Sequence, residues 1–556
     1  MNMKKLVFFL IGIWAFAANI NAQGIYNSGA RIVSDISGSY WVLSGGNFTL
    51  TSPYATYPAS MTNLTINSGA SLTIPSTSCL TVTGTLANAA TGGVKIQSGA
   101  SGTGSLIAVA SSSSGTAFVQ RWMSAGSWHL ISSPVVQTAS DFLTANNNIA
   151  TKSPSSRGMM DYNPATNSWN TLFTEGSGNG SLGAGRGFSL RLAGLTPGTN
   201  DAAVTFTGAL QAGTQSITGL SAGLWNCIGN PYSSAIGINN LSSSGATNNF
   251  IAVNAANLDP SYGAIYVWDN PDANNGQTGL YTVISNASPH DASFDVQQGQ
   301  AFMVLMNAGK TSVSFTPQMQ FHSSALALKS AQIPWPMIKL MTSVSGQTSS
   351  TLIAFNSSMT KGLDPTYDAG LLKGGADLLV YTKLVQDNGI PFAIQALPDN
   401  DFANMIIPIG LDFKTGGEVT FSSENLNLPF DCKVILEDKL TKTFTDLSKG
   451  VYKVTLAANT SIMDRFQLHT ADRVLDKITD KLTAYAISNT EIRVIGNVSK
   501  EAIATLYDIH GRVVVAKQLQ EASTNIIPLP GLKTGIYMLS VKDNGSNKGF
   551  KIMIKD

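Results

Sequence analysis

The sequence predicts an all-β protein built from several domains in series. Its 556 residues include 52 glycines and 21 prolines, and only 12% are charged, about half the share of an average soluble domain. Short strings that alternate apolar and polar side chains recur along the chain, and no long stretch keeps the period of a helix. The 34 basic and 33 acidic residues leave a formal net charge of +1. We therefore expect no nucleic-acid partner, because no long-range field attracts one.

Residues 1–22 have the pattern of a secretory signal peptide. Lys4 and Lys5 precede an apolar run that extends from Leu6 to Ala18, and Ala22 is a small residue suited to cleavage. The run is too short for a spanning helix, which needs roughly 20 apolar residues. We expect export through the inner membrane into the periplasm, and no transmembrane span in the mature protein.

Residues 23–115 predict a small β-solenoid-like region. Triplets at 64–66, 72–74 and 80–82 recur every eight residues, each with two apolar side chains around one threonine. That is the period-2 pattern of a short strand, and stacking such strands buries a continuous core. An ordinary β-meander is the alternative.

Residues 116–330 contain a duplication, which predicts two tandem β-sandwich-like units or two halves of one larger sandwich. In the first matched pair, Trp128 and Trp225 stand at identical offsets from an isoleucine and a proline, so we expect equivalent core anchors. The matched segments are 128–134 and 225–231, 161–164 and 268–271, 185–190 and 299–304, and 204–207 and 313–316.

A further β-sandwich is predicted at residues 337–473. Charged side chains become more frequent near Pro334 and Pro336, and two prolines around a tryptophan are typical of a stiff linker. Beyond this linker, apolar strings such as 378–381 and 433–437 lie in turn-rich surroundings, as strands do.

Residues 480–556 run as short β-patterned strings separated by turn signals, which predicts an Ig-like sandwich. Three of them, ATLYDIHGRVV, IIPLPGLKTGIYMLSV and KGFKIMIKD, resemble the type A sorting domain of the Bacteroidetes type IX secretion system. The usual Asn-Pro near the start of that domain is absent between Tyr485 and Asn489.

This resemblance implies a secreted or outer-cell-surface protein whose partners are the type IX secretion machinery and its sortase. The residues that match the sorting strings are Tyr507, Asp508, Gly511, Arg512, Gly535, Tyr537, Lys551 and Lys555.

No pattern in the sequence predicts a catalytic site, so we expect a protein that is not an enzyme and holds no cofactor. The five histidines and three cysteines are scattered, without the spacing of a zinc site, and no GxSxG elbow occurs. Glu175 is the only glutamate between Gln23 and Leu328, which counts against a glycosidase pair in that region.

The metal candidates are Asp269 and Asp272, in a loop whose carboxylate and amide oxygens suit calcium. The spacing lacks the downstream bidentate glutamate of an EF-hand, so we expect a solvated turn there. Asp364 and Asp368 form a similar candidate pair.

Adhesion or another extracellular interaction, with a glycan or protein ligand, is the function that these observations favour. The alternative is a carbohydrate-active enzyme or a glycan-binding module, since aromatic rings can cover the apolar face of a sugar. The candidate rings are Trp169, Tyr262, Tyr266, Trp268 and Tyr281.

Overall fold

The fold is nearly all β, with 55% of residues in strands and 4% in helices, as the sequence predicted. The structure described is a computed structural model. The described residues are 24–26, 31–33, 37–51, 59–152, 155–176, 179–194, 201–239, 248–269, 279–288, 295–323, 335–400, 405–429, 432–470, 482–496, 498–522, 524–543 and 545–554. The signal peptide predicted at 1–22 lies outside them.

Contacts divide the chain into two compact units. The described residues of Met1–Asn400, Ile407–Leu428 and Val451–Phe466 belong to the first unit. Those of Asp401–Ile406, Pro429–Gly450 and Gln467–Asp556 belong to the second. The finer division into domains inferred from the sequence stays a prediction.

The first unit begins with two sheets between which successive strands alternate. One sheet is parallel and contains β1 (Gly24–Tyr26), β3 (Ser37–Leu43), β5 (Ala59–Ile66), β7 (Cys79–Asn88) and β11 (Ser105–Ser111). The other contains β2 (Arg31–Val33), β4 (Asn47–Leu50), β6 (Ser71–Ile74), β8 (Val94–Ile96) and β12 (Ala117–Met123), with β19 (Ala202–Gly208) antiparallel to β12. A small hairpin joins β9 (Ser98–Gly99) and β10 (Gly102–Thr103).

This winding confirms the predicted solenoid-like region. The apolar residues of each triplet are buried, for example Leu72 and Ile74, whereas Thr73 between them is half-buried. Inward apolar and outward polar positions therefore alternate as the sequence pattern required.

Two four-stranded antiparallel sheets then repeat one topology. The first contains β13 (Trp128–Ser132), β15 (Met159–Asn163), β16 (Ser168–Trp169) and β18 (Gly187–Arg191), in the order β13-β18-β15-β16. The second contains β21 (Trp225–Gly229), β23 (Ile265–Asp269), β24 (Leu280–Ile284) and β26 (Ala301–Leu305), in the order β21-β26-β23-β24. In both sheets the first strand pairs with the fourth, which confirms the predicted duplication.

Short elements complete each repeat. They are β14 (Gln137–Thr138) paired with β17 (Ser181–Leu182), helix α1 (Ala139–Ala145), β20 (Gln215–Ile217) paired with β27 (Val313–Phe315), β22 (Ala235–Gly237) paired with β25 (Asp295–Val296) and β28 (Gln320–Phe321), helix α2 (Phe250–Asn254) and a 3₁₀ helix at Pro317–Met319.

A buried asparagine fastens the helix of each repeat to a following strand. The Nδ2 of Asn146 donates to the carbonyls of Phe142 at 2.8 Å and Thr205 at 3.0 Å, and its Oδ1 accepts the Thr205 N–H at 2.7 Å. The Nδ2 of Asn254 donates to Phe250 at 2.9 Å and Ser314 at 2.8 Å, and its Oδ1 accepts the Ser314 N–H at 2.8 Å. The two asparagines are therefore structural equivalents.

The rest of the first unit is built on one continuous sheet. Its strand order is β39-β34-β32-β33-β30-β29-β35-β38, with β31 beside β33. The bounds are β29 (Met337–Val344), β30 (Gln347–Phe355), β31 (Ala369–Gly370), β32 (Leu378–Lys383), β33 (Pro391–Leu397), β34 (Ile406–Phe413), β35 (Gly417–Leu426), β38 (Tyr452–Leu456) and β39 (Thr460–His469).

The second unit includes the hairpin of β36 (Ile435–Asp438) with β37 (Thr443–Asp446) and a C-terminal two-sheet domain. One of its sheets contains β40 (Thr483–Ser488), β41 (Glu491–Ile495) and β44 (Thr524–Pro528). The other contains β42 (Ile503–Tyr507), β43 (Val513–Gln518), β45 (Gly535–Asp543) and β46 (Ser546–Ile554), in the order β43-β42-β45-β46. Seven antiparallel strands around a buried core confirm the predicted Ig-like fold.

Among the described residues, no helix is both long and apolar enough to cross a membrane.

Candidate functional site

The predicted sorting residues lie at one end of the four-stranded sheet of the C-terminal domain. Tyr507 ends β42, Gly535 begins β45, and Lys551 lies near the end of β46. Met538 stands directly opposite both Tyr507 and Lys551, so the sheet brings these two predicted residues onto one face. Lys555 lies outside the described residues.

Asp508 and Gly511 shape the turn between β42 and β43. The Oδ1 of Asp508 accepts the backbone N–H of His510 at 2.9 Å and of Arg512 at 3.0 Å, and its Oδ2 accepts Arg512 Nε at 2.8 Å. Gly511 has a φ of +79°, which a residue with a Cβ adopts only with strain. Desolvation alone would raise the pKa of the Asp508 carboxyl, but the bonds from Arg512 and His510 hold it below its ordinary value.

Tyr537 has a similar local role. Its side chain lies on the opposite face of β45 from Met538, and its hydroxyl donates to the Lys533 carbonyl at 3.1 Å. Asp508, Gly511, Arg512 and Tyr537 thus fix the loops, whereas Tyr507 and Lys551 belong to the exposed sheet face.

Exposed apolar side chains concentrate in this domain. Of the 17 large apolar residues that are exposed in the described part of the chain, ten lie within it. Those ten are Tyr485, Ile487, Ile495, Ile503, Ile509, Val513, Ile526, Ile536, Met538 and Met553. This feature could not be predicted from the sequence, because consecutive apolar residues in a strand do not show which of them faces the core.

The outward positions of the four-stranded sheet carry basic but no acidic side chains in the described strands. Lys542 and Lys551 are exposed there. The carboxylate of Asp543, at the end of β45, instead accepts hydrogen bonds from the Ser499 N–H at 2.9 Å and the Ser499 hydroxyl at 2.5 Å. The face therefore combines apolar surface with positive charge.

Of the two acidic pairs considered for calcium, only Asp364 and Asp368 both lie among the described residues. Asp269 is the last residue of β23, and Asp272 lies outside the described residues, so that candidate stays untested. Asp368 is fully buried, and its oxygens accept the backbone N–H groups of Ala396 at 2.7 Å and Asp364 at 2.6 Å. Burial raises the pKa of the Asp368 carboxyl to about 7, although these two bonds act in the opposite direction. The described residues contain no group of three or more His, Cys, Asp or Glu arranged to hold a metal.

The aromatic residues considered for glycan binding pack largely on one another. Tyr266 is fully buried, its ring centre lies 4.8 Å from that of Trp225, and its hydroxyl donates to Gly370 at 2.7 Å. Trp268 and Tyr281 form an edge-to-face pair with centroids 5.1 Å apart. Tyr266, one of the five candidate rings, therefore cannot serve as a sugar platform.

A small cavity in the first unit adjoins this aromatic cluster. It measures about 50 Å³ and is lined in part by Arg121, His129, Trp268 and Gln300. Burial lowers the pKa of His129, and its Nε2 lies 2.9 Å from the Ser124 carbonyl, so the ring is held by its own strand turn. A volume of this size accommodates water rather than a sugar ring.

Comparison with known protein families identifies the class of the protein. Residues 486–555 match the Secretion system C-terminal sorting domain, which confirms the resemblance found in the sequence. The chain is thus a type IX secreted protein, and that domain implies an origin in the Bacteroidetes. Residues 44–469 match a Domain of unknown function (DUF8693), and the chain belongs to that family.

No curated protein matches the chain. Among solved structures it is similar to "Biofilm associated protein - BSP domain", at 10% identity and a TM-score of 0.14, over 79% of this chain and 92% of that one. It is also similar to arabinofuranosyltransferase AftD from Mycobacteria, at 11% identity and a TM-score of 0.09, over 80% of this chain and 26% of that one. TM-scores this low do not indicate a shared fold.

Proposed function

We propose that the protein is a non-enzymatic β-protein that acts outside the cell, in adhesion or another extracellular interaction. The observation that carries the proposal is the sorting domain at residues 486–555. Because such a domain directs export, the family region at 44–469 performs its task at the outer surface or after release.

The chemistry of the family region supports a binding role over a catalytic one. Glu175, the only glutamate between Gln23 and Leu328, pairs with the buried Arg157 at 2.9 Å, and Arg157 also donates to the Asn146 carbonyl at 2.8 Å. This contact ties one loop to the end of α1. The buried Asp368 likewise accepts backbone amides. An acidic group that is engaged in an ion pair or by backbone amides in this way has a structural task in place of general acid or base work.

The route that we propose begins with the signal peptide at 1–22, which delivers the chain to the periplasm. The type IX machinery then carries it through the outer membrane, and its sortase acts on the C-terminal domain. A glycan or a protein at the cell exterior is the ligand class that remains for the family region.

A gene deletion, complemented with the full chain or with a chain that lacks residues 480–556, tests this function. We expect the full chain to restore adherence of cells to glycoprotein-coated surfaces and to one another, and the truncated chain to fail because it stays inside. Purified protein incubated with a panel of polysaccharides provides the second arm. Release of reducing sugar would overturn the non-enzymatic proposal in favour of a carbohydrate-active enzyme, and unchanged adherence in the deletion strain would overturn the adhesion role.

A further inference from the structure

The outer face of the four-stranded sheet in the C-terminal domain carries apolar side chains in two adjoining rows. Residues directly opposite on antiparallel strands have side chains on the same face, with Cβ atoms about 5 Å apart. One row runs through Val513, Tyr507 and Met538, and the next pairs Ile536 with Met553. These five residues define the outer apolar face.

The outer apolar face is not part of the domain's own core. Met538 is 47% exposed and Met553 57%, whereas Leu539, the neighbour of Met538 in β45, is 1% exposed. Within β45, one set of alternate residues is therefore buried in the core. The residues between them belong to a second apolar layer that is exposed to water. Tyrosine and methionine are enriched in protein interfaces, where burying such a layer supplies binding energy.

Charge distinguishes this face from the outer face of the other sheet. Lys551 lies at the end of the first row, opposite Met538, and Lys542 stands further along β45. The three-stranded sheet also exposes Tyr485 and Ile526, but Arg493 stands between them and lies 3.7 Å from Glu491. In the described strands, the only charged side chains on the same side of the sheet as the outer apolar face are therefore lysines, while the outer face of the other sheet is interrupted by a charged pair.

We propose that the outer apolar face is the surface by which the C-terminal domain docks onto a protein of the export machinery, and that this partner presents apolar side chains flanked by carboxylates. The inference rests on the proposed sorting function and assigns it to one face. Apolar contact provides the affinity, and the lysines select a partner of opposite charge.

The test uses the full chain in its native host and measures the fraction that reaches the outer surface or the medium. Met538→Glu places a carboxylate in the centre of the face, and Lys551→Glu reverses its charge. Ile526→Glu is the matched control, because Ile526 is 45% exposed on the other sheet. A chain that lacks residues 480–556 measures how far export depends on the domain at all. Melting temperatures of the purified variants report folding.

We expect each face variant to lower export about five-fold or more, the effect of losing an interface residue that contributes 1 kcal/mol, and the control to remain close to wild type. If the truncated chain is exported normally, the sorting function itself is wrong. If truncation blocks export but Met538→Glu and Lys551→Glu are exported at the wild-type level, the domain is needed for sorting but the outer apolar face is not its docking surface. An equal loss with Ile526→Glu would also overturn the assignment. If Met538→Glu melts at a lower temperature than wild type, export of Met538→Gln, which adds no charge, is measured in its place and is judged by the same outcomes.

Discussion

Replacing Asn254 by alanine tests whether the buried asparagines hold the duplicated units together. The side chain of Asn254 is fully buried and makes three hydrogen bonds. One goes to the Phe250 carbonyl within α2, and the other two join the end of α2 to both backbone groups of Ser314 in β27. At about 1 kcal/mol each, these bonds contribute roughly 3 kcal/mol. Alanine also leaves the partly buried N–H and C=O of Ser314 without this partner, which raises the expected loss to about 3 to 5 kcal/mol.

The duplication provides a matched pair for this experiment. Asn146→Ala removes the equivalent three bonds in the first repeat and should cost a similar amount. Asn307→Ala removes a side chain whose exposed bond to the Ala308 N–H is local, and should change stability by no more than about 0.5 kcal/mol. Urea unfolding of the purified full chain, followed by tryptophan fluorescence, measures all three.

Unfolding of Asn254→Ala and Asn146→Ala at the same urea concentration as Asn307→Ala would contradict a stabilising role for these asparagines. Destabilisation of only one of the two buried variants would contradict it in part, because equivalent contacts should have equivalent energies. A large loss of stability in both variants would show that the geometry shared by the two repeats depends on these side chains as well as on the aromatic residues.

Three further predictions concern pH, packing and metal. Burial lowers the pKa of His322 from 6.5 to about 4, so the neutral imidazole stabilises the fold above pH 6.5. About 3 kcal/mol of the free energy of unfolding is lost as the pH falls to 4. His322→Gln should remove this part of the pH dependence, measured by urea unfolding at pH 7 and pH 4. Trp225→Ala should cost about 3 kcal/mol, since the ring packs edge-on against Tyr262 and Tyr266, and a smaller loss of urea resistance would contradict that packing. Melting should be the same in millimolar calcium and in excess chelator, and a rise of several degrees with calcium, abolished by Asp269→Asn with Asp272→Asn, would establish a calcium site.

The sequence predicted the solenoid-like region and the duplication because both are repeats of local patterns. Burial of alternate residues shows directly in a triplet such as 72–74, where one threonine separates two apolar residues. The duplication was visible in landmarks such as Trp128 and Trp225, although both rings are only half-buried in the structure.

The equivalence of Asn146 and Asn254, in contrast, was not predicted from the sequence. Phe142 with Asn146, and Phe250 with Asn254, share a spacing of four residues. Asn146 precedes its partner Thr205 by 59 residues, and Asn254 precedes Ser314 by 60. That signal was present in the sequence. An isolated asparagine, however, is far more common in turns than as a buried link between a helix and a strand, so only the three-dimensional contacts give it weight.

The turn residues of the sorting domain could be interpreted from the sequence, but its exposed face could not. Asp508 and Gly511 follow the usual chemistry of turns, in which a side-chain oxygen caps backbone amides and glycine accepts a positive φ. In β45, by contrast, Ile536, Tyr537, Met538 and Leu539 are all apolar. A run without alternation does not distinguish the core side from the solvent side, and this distinction came only from the packing of the two sheets.

The charges on the outer apolar face also bear on what can cover it. An exposed apolar sheet face is a hazard, since it favours association of one copy with another. Two copies that met through this face would bring Lys542 and Lys551 of each into one interface, where no outward carboxylate in the described strands of that sheet balances them. Such like charges oppose self-association, while a partner that carries carboxylates removes the same penalty. The lysines therefore favour docking to a different protein over dimerisation, and the purified full chain should sediment as a monomer at low salt. A dimer at low salt that Met538→Glu dissociates would show instead that a second copy covers the face.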